Sequence, residues 1–157
     1  MEVSLVHRLT FRSLLVAGLL IGALPGAAAA AASVDATIDV HSAFADPTGS
    51  FTADSPALCP EGTTSDETRI VGSDRVLNIK NVKTFTCADG SGTFTLRINA
   101  QVMPCNSTDR GTWSVIGGTG DYDGLRGAGA LVGTYFPNDA CDAEGIDDHL
   151  TGTLVLP

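Results

Sequence analysis

Four cysteines, Cys59, Cys87, Cys105 and Cys141, have the most sharply defined chemistry in this sequence. An even number of cysteines in an exported chain indicates disulfide bonds. Zinc is the alternative, but zinc ligands usually include close C-x-x-C pairs, whereas these cysteines lie 28, 18 and 36 positions apart. Three pairings are possible. We favour Cys59–Cys87 with Cys105–Cys141, because one bridge then ties each half of the domain.

The histidines form no recognisable catalytic motif. His41 and His149 both fall in strand-like patterns, on the side opposite the apolar residues. The chain has no G-x-S-x-G and no H-E-x-x-H sequence. Cysteines held in disulfides cannot act as nucleophiles. Paired carboxylates remain open, because acidic residues are plentiful and their separation in space is unknown. We assign no catalytic residue, and we favour a protein that is not an enzyme.

Two short segments have incomplete ligand-binding signatures. Gly118-x-Gly120 lacks the lysine of a phosphate-binding loop and the helix that should follow it. The run Asp121-Tyr-Asp123-Gly begins like a calcium loop but lacks the third ligand and the distal glutamate. Loose calcium binding is the alternative to a solvated acidic surface, which we favour. We predict no metal and no cofactor. The other acids of this region are Asp139, Asp142, Glu144, Asp147 and Asp148.

Residues 1–32 have the three parts of a secretory signal. Arg8 and Arg12 supply positive charge, residues 13–24 form an apolar run, and the small residues 27–32 suit a signal peptidase. The apolar run would rise only ~18 Å as a helix, too short for a hydrocarbon core of ~30 Å. An uncleaved anchor, lengthened through the alanines, is the alternative. The leader therefore predicts bacterial export.

Cleavage between Ala28 and Ser33 would leave one mature domain, residues 33–157. It removes one acidic and two basic residues, so the net charge changes from −9 to −10. A chain this acidic repels nucleic acid and anionic membrane surfaces. We therefore predict a secreted protein that neither binds nucleic acid nor inserts stably into a membrane.

Apolar and polar residues alternate with a period of two along much of the mature chain, which predicts strands with one buried face. The clearest cases are Thr93 to Met103 and Val34 to Phe44. Residues Arg75 to Thr86 contain two shorter runs, with a bulge or bend predicted at Lys80–Asn81. The remaining strands are predicted at Thr112 to Ile116, Ala128 to Tyr135 and His149 to Leu156.

Turn signals rich in glycine and aspartate separate these strands. Ala88 to Gly92 predicts a hairpin, whereas Pro47 to Thr68 and Pro137 to Asp148 predict long surface loops. Seven or eight short strands make a barrel or a β-sandwich. We favour the barrel, since glycine inside strands allows the coiling that closure requires. These glycines are Gly127, Gly129, Gly133 and Gly152.

The segment from Trp113 to Tyr135 resembles the G-T-G-x-[FY]-x-x-[LA]-x-G pattern of the allene oxide cyclase and dirigent families. Small exported actinobacterial proteins also have this signature, followed by a strand similar to Asp147–Gly152. The match covers about 23 residues of the sequence. The resemblance implies an eight-stranded antiparallel β-barrel of the calycin type, while the β-sandwich stays the alternative that the strand count allows. The matching residues are Gly118, Thr119, Gly120, Tyr122, Leu125, Arg126, Gly127 and Gly129.

The resemblance also implies a mechanism. Members of those families confine a reactive, mostly apolar intermediate in the barrel and steer its closure or coupling. Their catalytic positions lie outside the matching segment, so none is transferred here. The motif itself indicates an architectural role, with Tyr122 and Leu125 closing a barrel end.

We expect a disulfide-stabilised barrel that binds a small apolar ligand or an envelope component without catalysis. Trp113, Tyr122 and Arg126 are the candidate ligand-binding residues, as an aromatic–cation group at the barrel end. An isomerase that works by confinement is the alternative. A cavity of ~300 Å³ or more with a few convergent polar groups would support ligand binding or catalysis. A buried acid beside an aromatic would favour the enzyme, and purely apolar walls a carrier.

Overall fold

The structure is a computed structural model that describes residues 32–156. The predicted signal peptide lies outside the described residues, apart from its last residue, Ala32. Within residues 32–156 there is no helix that could span a membrane.

Eight antiparallel strands close into a barrel, in which each strand pairs with the next and β8 returns to β1. This confirms the predicted all-β fold and its closed, eight-stranded form. The strands are β1 (Ser33–Ala43), β2 (Thr48–Asp54), β3 (Glu61–Gly72), β4 (Leu77–Cys87), β5 (Gly92–Val102), β6 (Thr108–Gly120), β7 (Arg126–Phe136) and β8 (Gly145–Val155).

Two of the segments predicted as loops contain strands, so those boundaries were wrong. Residues 47–68 include all of β2 and the first part of β3, and β8 begins at Gly145 rather than after Asp148. The reason is the polarity of the inward positions. In β3 the one buried residue is Thr64, so the apolar alternation that marks a half-buried strand is missing.

The predicted bend at Lys80–Asn81 is also wrong. β4 is continuous and keeps an unbroken register with β3 and with β5. The apolar–polar alternation of β4 is hard to recognise in the sequence because a charged residue, Lys83, occupies one of the buried inward positions. The register shift in the barrel occurs between β5 and β6 instead, where Ile116 is the extra residue.

Aromatic side chains fill one end of the barrel, which we call the aromatic end. Phe85 and Phe94 are fully buried and stack with their ring centroids 4.5 Å apart, and Phe51 meets both rings edge-on. Tyr122 lies 5.5 Å from Phe94, and Leu125 joins the same core. The turn between β6 and β7 thus covers this end with two buried side chains, the role that the motif suggested.

Two of the strand glycines make room for the indole of Trp113. A Cβ atom at Gly129 or Gly152 would lie 2.7 Å or 2.6 Å from the ring. The indole Nε1 donates to the carbonyl oxygens of Ala130, at 3.1 Å, and Thr151, at 3.2 Å. Trp113 therefore spans β6, β7 and β8 on the inner face of the barrel, where a larger residue than glycine would displace it.

The predicted disulfide pairing is confirmed. Cys59 pairs with Cys87 at the aromatic end, and Cys105 pairs with Cys141 at the opposite end. The first bridge is buried in the core, whereas both cysteines of the second are exposed.

We expect limited treatment with dithiothreitol to open Cys105–Cys141 first, because thiol–disulfide exchange requires access to the sulfur atoms. Alkylation followed by peptide mass spectrometry would show modified Cys105 and Cys141 while Cys59 and Cys87 remain paired. In guanidinium chloride the two bridges should open at similar rates, since burial no longer separates them. Earlier opening of Cys59–Cys87 in the folded protein would contradict this prediction.

Candidate functional site

A cavity of about 400 Å³ occupies the barrel end opposite the aromatic end. We call this the mouth end. The turn between β1 and β2 and the loop between β7 and β8 border the cavity through Pro47 and Ala140. Its walls are mainly apolar and come from β4, β5, β7 and β8. The apolar wall residues include Ile79, Ile98, Ala100, Val102, Leu131 and Ile146.

A buried lysine, Lys83, lies outside the cavity lining and contacts three polar residues that belong to the cavity floor, Ser42, Asp66 and Asp148. The Lys83 side chain is 1 % exposed, and its Nζ lies 3.1 Å from Asp66 Oδ2 and 3.4 Å from Asp148 Oδ2. The same ammonium donates to Ser42 Oγ at 3.4 Å. An ammonium so far from water is tolerated only when it is paired and hydrogen-bonded. Lys83 thus ties β4 to β1, β3 and β8 across the interior.

A second carboxylate, Asp109, is held by neutral donors. Its Oδ1 accepts from the backbone N–H of Gly133 at 3.0 Å, and its Oδ2 accepts from the Tyr135 hydroxyl at 3.2 Å. Burial raises the pKa of Asp109, against the opposing effect of these hydrogen bonds. Burial and the nearby Asp109 charge raise the pKa of Tyr135, so the phenol stays protonated and remains a donor.

Among the described carboxylates, Asp148 has the largest pKa shift. Burial raises its pKa from 3.8 to about 6, and the charges of Asp109 and Asp66 act in the same direction, while Lys83 opposes them. A carboxylic acid with a pKa near 6 gains and loses its proton close to neutral pH. The cavity floor therefore contains a group that can exchange a proton under ordinary conditions.

Asp148→Asn is expected to flatten the pH dependence of stability. The folded pKa lies above the unfolded value, so the stabilising contribution of this proton is complete below about pH 4 and is lost as the pH rises through about 6. The loss is on the order of 3 kcal/mol by pH 8. Denaturant unfolding at several pH values should show a smaller decline in the variant. Asp109 accounts for the part that remains, because its pKa is also raised.

Asp35→Asn is the matched control, because Asp35 lies exposed on the outer face of β1. This variant should keep the wild-type decline in stability between about pH 4 and about pH 8. An equally steep decline in Asp148→Asn would show that Asp148 does not carry the effect.

The predicted ligand-binding residues lie away from this cavity. Trp113 and Tyr122 are buried in the core, at 2 % and 5 % exposure, and Arg126 is exposed at the start of β7. None of the three lines the cavity. Among the described residues, no cation–π contact joins Arg126 to either ring. A role for them in ligand binding therefore stays a prediction, separate from the cavity.

The residues of the cavity floor belong to no motif in the sequence and were not predicted as a site. Lys83 and Asp66 lie in segments whose polar inward positions masked the strand pattern. The sequence does contain one indication that these polar residues point inward. Counting back by two from Phe85 places Lys83, and then Asn81, on the inner face of a continuous strand.

Both histidines lie on the outer face, as predicted. His41 Nδ1 is 2.6 Å from Asp147 Oδ1, and His149 Nδ1 is 2.6 Å from Asp39 Oδ1. Each pair joins residues directly opposite each other on β1 and β8. They border a shallow hollow of about 690 Å³ on the barrel wall. This hollow is larger than the cavity, but it faces solvent and does not enclose a ligand.

The described residues contain one close group of three side chains of metal-binding type, Cys105, Asp139 and Cys141. Its two cysteines are joined in a disulfide, so their sulfur atoms are not thiolate ligands. This group therefore does not form a metal site in the oxidised protein.

The chain was compared with protein-family models, curated proteins and solved structures, and none of them matches.

Proposed function

We propose that the protein is an exported β-barrel that binds a small, largely apolar molecule in the mouth-end cavity, without transforming it. The observation that carries this proposal is the cavity of about 400 Å³, with apolar walls and a few polar groups gathered at its floor. Small-molecule sites in proteins usually have this composition and a volume of ~300–1,000 Å³. The walls would bury the apolar body of the ligand, and the floor would orient its polar end.

Two features support export. Disulfide bonds persist in oxidising compartments, and all four cysteines of the chain are paired. The leader, residues 1–32, has the charge, apolar run and small residues of a secretory signal. Mass spectrometry of the protein recovered from a bacterial culture supernatant would test both, by reading its first residue and its thiol content.

Ala100→Phe tests the binding site, with N-phenyl-1-naphthylamine as a neutral, apolar fluorescent probe. Ala100 is buried in the cavity wall on β5, so a phenyl ring there would occupy space that the probe needs. We expect the wild type to bind the probe and the variant to bind it at least ~tenfold more weakly. Thr68→Trp, at an exposed position that lines the cavity, gives the same test with less risk to the core.

The matched control is Gln101→Phe, which adds the same ring to the next residue of β5, on the outer face. This variant should bind the probe like the wild type. Circular dichroism would establish that each variant is folded. No probe binding to the wild type, or equal binding to wild type and both cavity variants, would refute the proposed site.

A second candidate function is isomerisation of a confined intermediate. The specific observation in its favour is a buried acid beside an aromatic, since Asp109 accepts from the Tyr135 hydroxyl in the same cavity as Asp148, whose pKa is about 6. An acid or base works best when its pKa lies near the operating pH. The resemblance of the segment from Trp113 to Tyr135 to the allene oxide cyclase and dirigent families supports the same candidate.

Compounds that co-purify with the protein distinguish the two candidates. They would be extracted from wild type and from Asp148→Asn, and separated by chromatography coupled to mass spectrometry. A carrier would hold the same compound in both proteins. An isomerase would hold compounds of equal mass but different retention, because only the wild type converts its substrate.

A further inference from the structure

The charges inside the cavity do not balance. Four carboxylates, those of Asp46, Asp66, Asp109 and Asp148, border the cavity, and Lys83 is the one cation that contacts any of them among the described residues. No lysine or arginine of the described chain lines the cavity itself, and Lys83 reaches it only through its contacts with Asp66 and Asp148. One ammonium group cannot neutralise four carboxylates. The negative charge of the cavity lining is therefore not fully compensated, and a further cation would be attracted to it.

Two carboxylates approach each other without a cation between them. A Cβ atom at Gly133 would lie 2.5 Å from Asp109 Oδ1 and 3.0 Å from Asp148 Oδ1, so both oxygens flank the same glycine. The contact between Lys83 and Asp148 is made by the other oxygen, Oδ2. The two Oδ1 atoms are thus near enough for a single ammonium group to contact both.

Two buried side-chain atoms of the described residues lack a hydrogen-bond partner, Thr64 Oγ1 and Asn81 Oδ1, and of these two residues Asn81 lines the cavity. Asn81 donates from its Nδ2 to Asp66 Oδ1 at 2.9 Å, which fixes the orientation of the amide. Its Oδ1 is then buried without a hydrogen-bond partner among the described residues. An ammonium group has three N–H donors and no acceptor, so it complements such a floor. A carboxylate would be repelled, and an alcohol would bring no charge.

We infer that the cavity selects small molecules with an amine at one end of an apolar body. This rests on the proposed function and narrows it to one class of ligand. The ammonium group would lie beside Asp109 and Asp148, and the apolar body would pack against the apolar walls of the cavity, which include Ile98 and Leu131. Hydrogen bonds between ionised groups are about twice as strong as neutral ones, which makes the head group the main source of selectivity.

The experiment compares three probes with the same chain and different heads: decylamine, decanol and decanoate. Each would displace N-phenyl-1-naphthylamine from the wild-type protein at neutral pH and high ionic strength, which screens the acidic outer surface. We expect decylamine to bind at least ~tenfold more tightly than decanol. Decanoate should bind most weakly.

Asp148→Asn and Asp109→Asn should each reduce the preference for decylamine over decanol, measured as the ratio of the two affinities in the same protein. The matched control is Asp147→Asn, which removes a carboxylate next along β8 on the outer face. This control should keep the wild-type preference. Far-UV circular dichroism and thermal unfolding would show that the variants are folded.

The outcomes separate the two proposals. Equal or tighter binding of decanol would overturn the amine preference and leave ligand binding intact. A preference for decylamine that persists in both cavity variants would assign it to the outer surface, and would overturn the inference as well. Failure of the dye and of every probe to bind would refute the proposed function itself.

Discussion

Replacing Lys83 by methionine is expected to lower the free energy of unfolding by about 3–5 kcal/mol at pH 7. Lys83 is 1 % exposed and pairs with the partly exposed Asp66 and the buried Asp148, so its removal leaves both carboxylates without their cation. Methionine fills a similar volume, which isolates the loss of charge from the loss of packing. Denaturant unfolding with the disulfides intact would measure the change.

The loss of stability caused by Lys83→Met should depend on pH. Asp148 has a pKa of about 6, so below about pH 5 it is largely protonated and needs the lysine less. The difference between Lys83→Met and wild type should therefore shrink as the pH falls. Adding Asp66→Asn and Asp148→Asn to Lys83→Met should recover part of the lost stability at pH 7, since no carboxylate of the ion-paired group then remains unpaired.

Lys80→Met is the control for this prediction, because Lys80 is exposed on the outer face of the same strand. Its effect should stay within about 0.5 kcal/mol. A similar loss in Lys80→Met, or no loss in Lys83→Met, would show that the buried ammonium does not hold the floor together.

Phe94→Ala is expected to cost about 3–5 kcal/mol of stability. Phe94 is fully buried, stacks on Phe85 and contacts the rings of Phe51 and Tyr122. The substitution removes the ring on which the other three converge, and the closed wall around them leaves little room for collapse. Thermal or denaturant unfolding would measure the loss, with all disulfides intact.

Phe44→Ala provides the contrast, because Phe44 is 59 % exposed at the mouth end. Its effect on stability should stay within about 0.5 kcal/mol. Phe94 does not line the cavity, so Phe94→Ala should still bind the fluorescent probe at temperatures where it is folded. Loss of probe binding in folded Phe94→Ala would show that the two ends of the barrel depend on each other.

The two ends of the barrel differ in polarity. The aromatic end is apolar, tightly packed and tied by a buried disulfide. The mouth end contains buried charges, one of which, Asp148, is ionised at neutral pH at a cost to stability. Positions where a sequence departs from the consistent pattern of its fold are commonly functional sites. The polar inward positions of β4 are departures of this kind.

Much of the fold could be predicted from the sequence because one face of most strands is apolar. The strands β1 and β5 follow the alternation from Val34 and from Thr93 almost residue for residue. Of the three possible disulfide pairings, the favoured one, in which each bridge ties one half of the domain, is confirmed. These features depend on local patterns, which a linear sequence contains in full.

Only the tertiary structure determines which residues form the cavity floor. Asp66, Lys83, Asp109 and Asp148 lie on β3, β4, β6 and β8, and only closure of the barrel through the pairing of β8 with β1 brings them into one interior. A sequence pattern gives the polarity of each position, but not which polar side chains share a buried space. Partners and pKa values depend on register and burial, and these are fixed by the closed sheet as a whole.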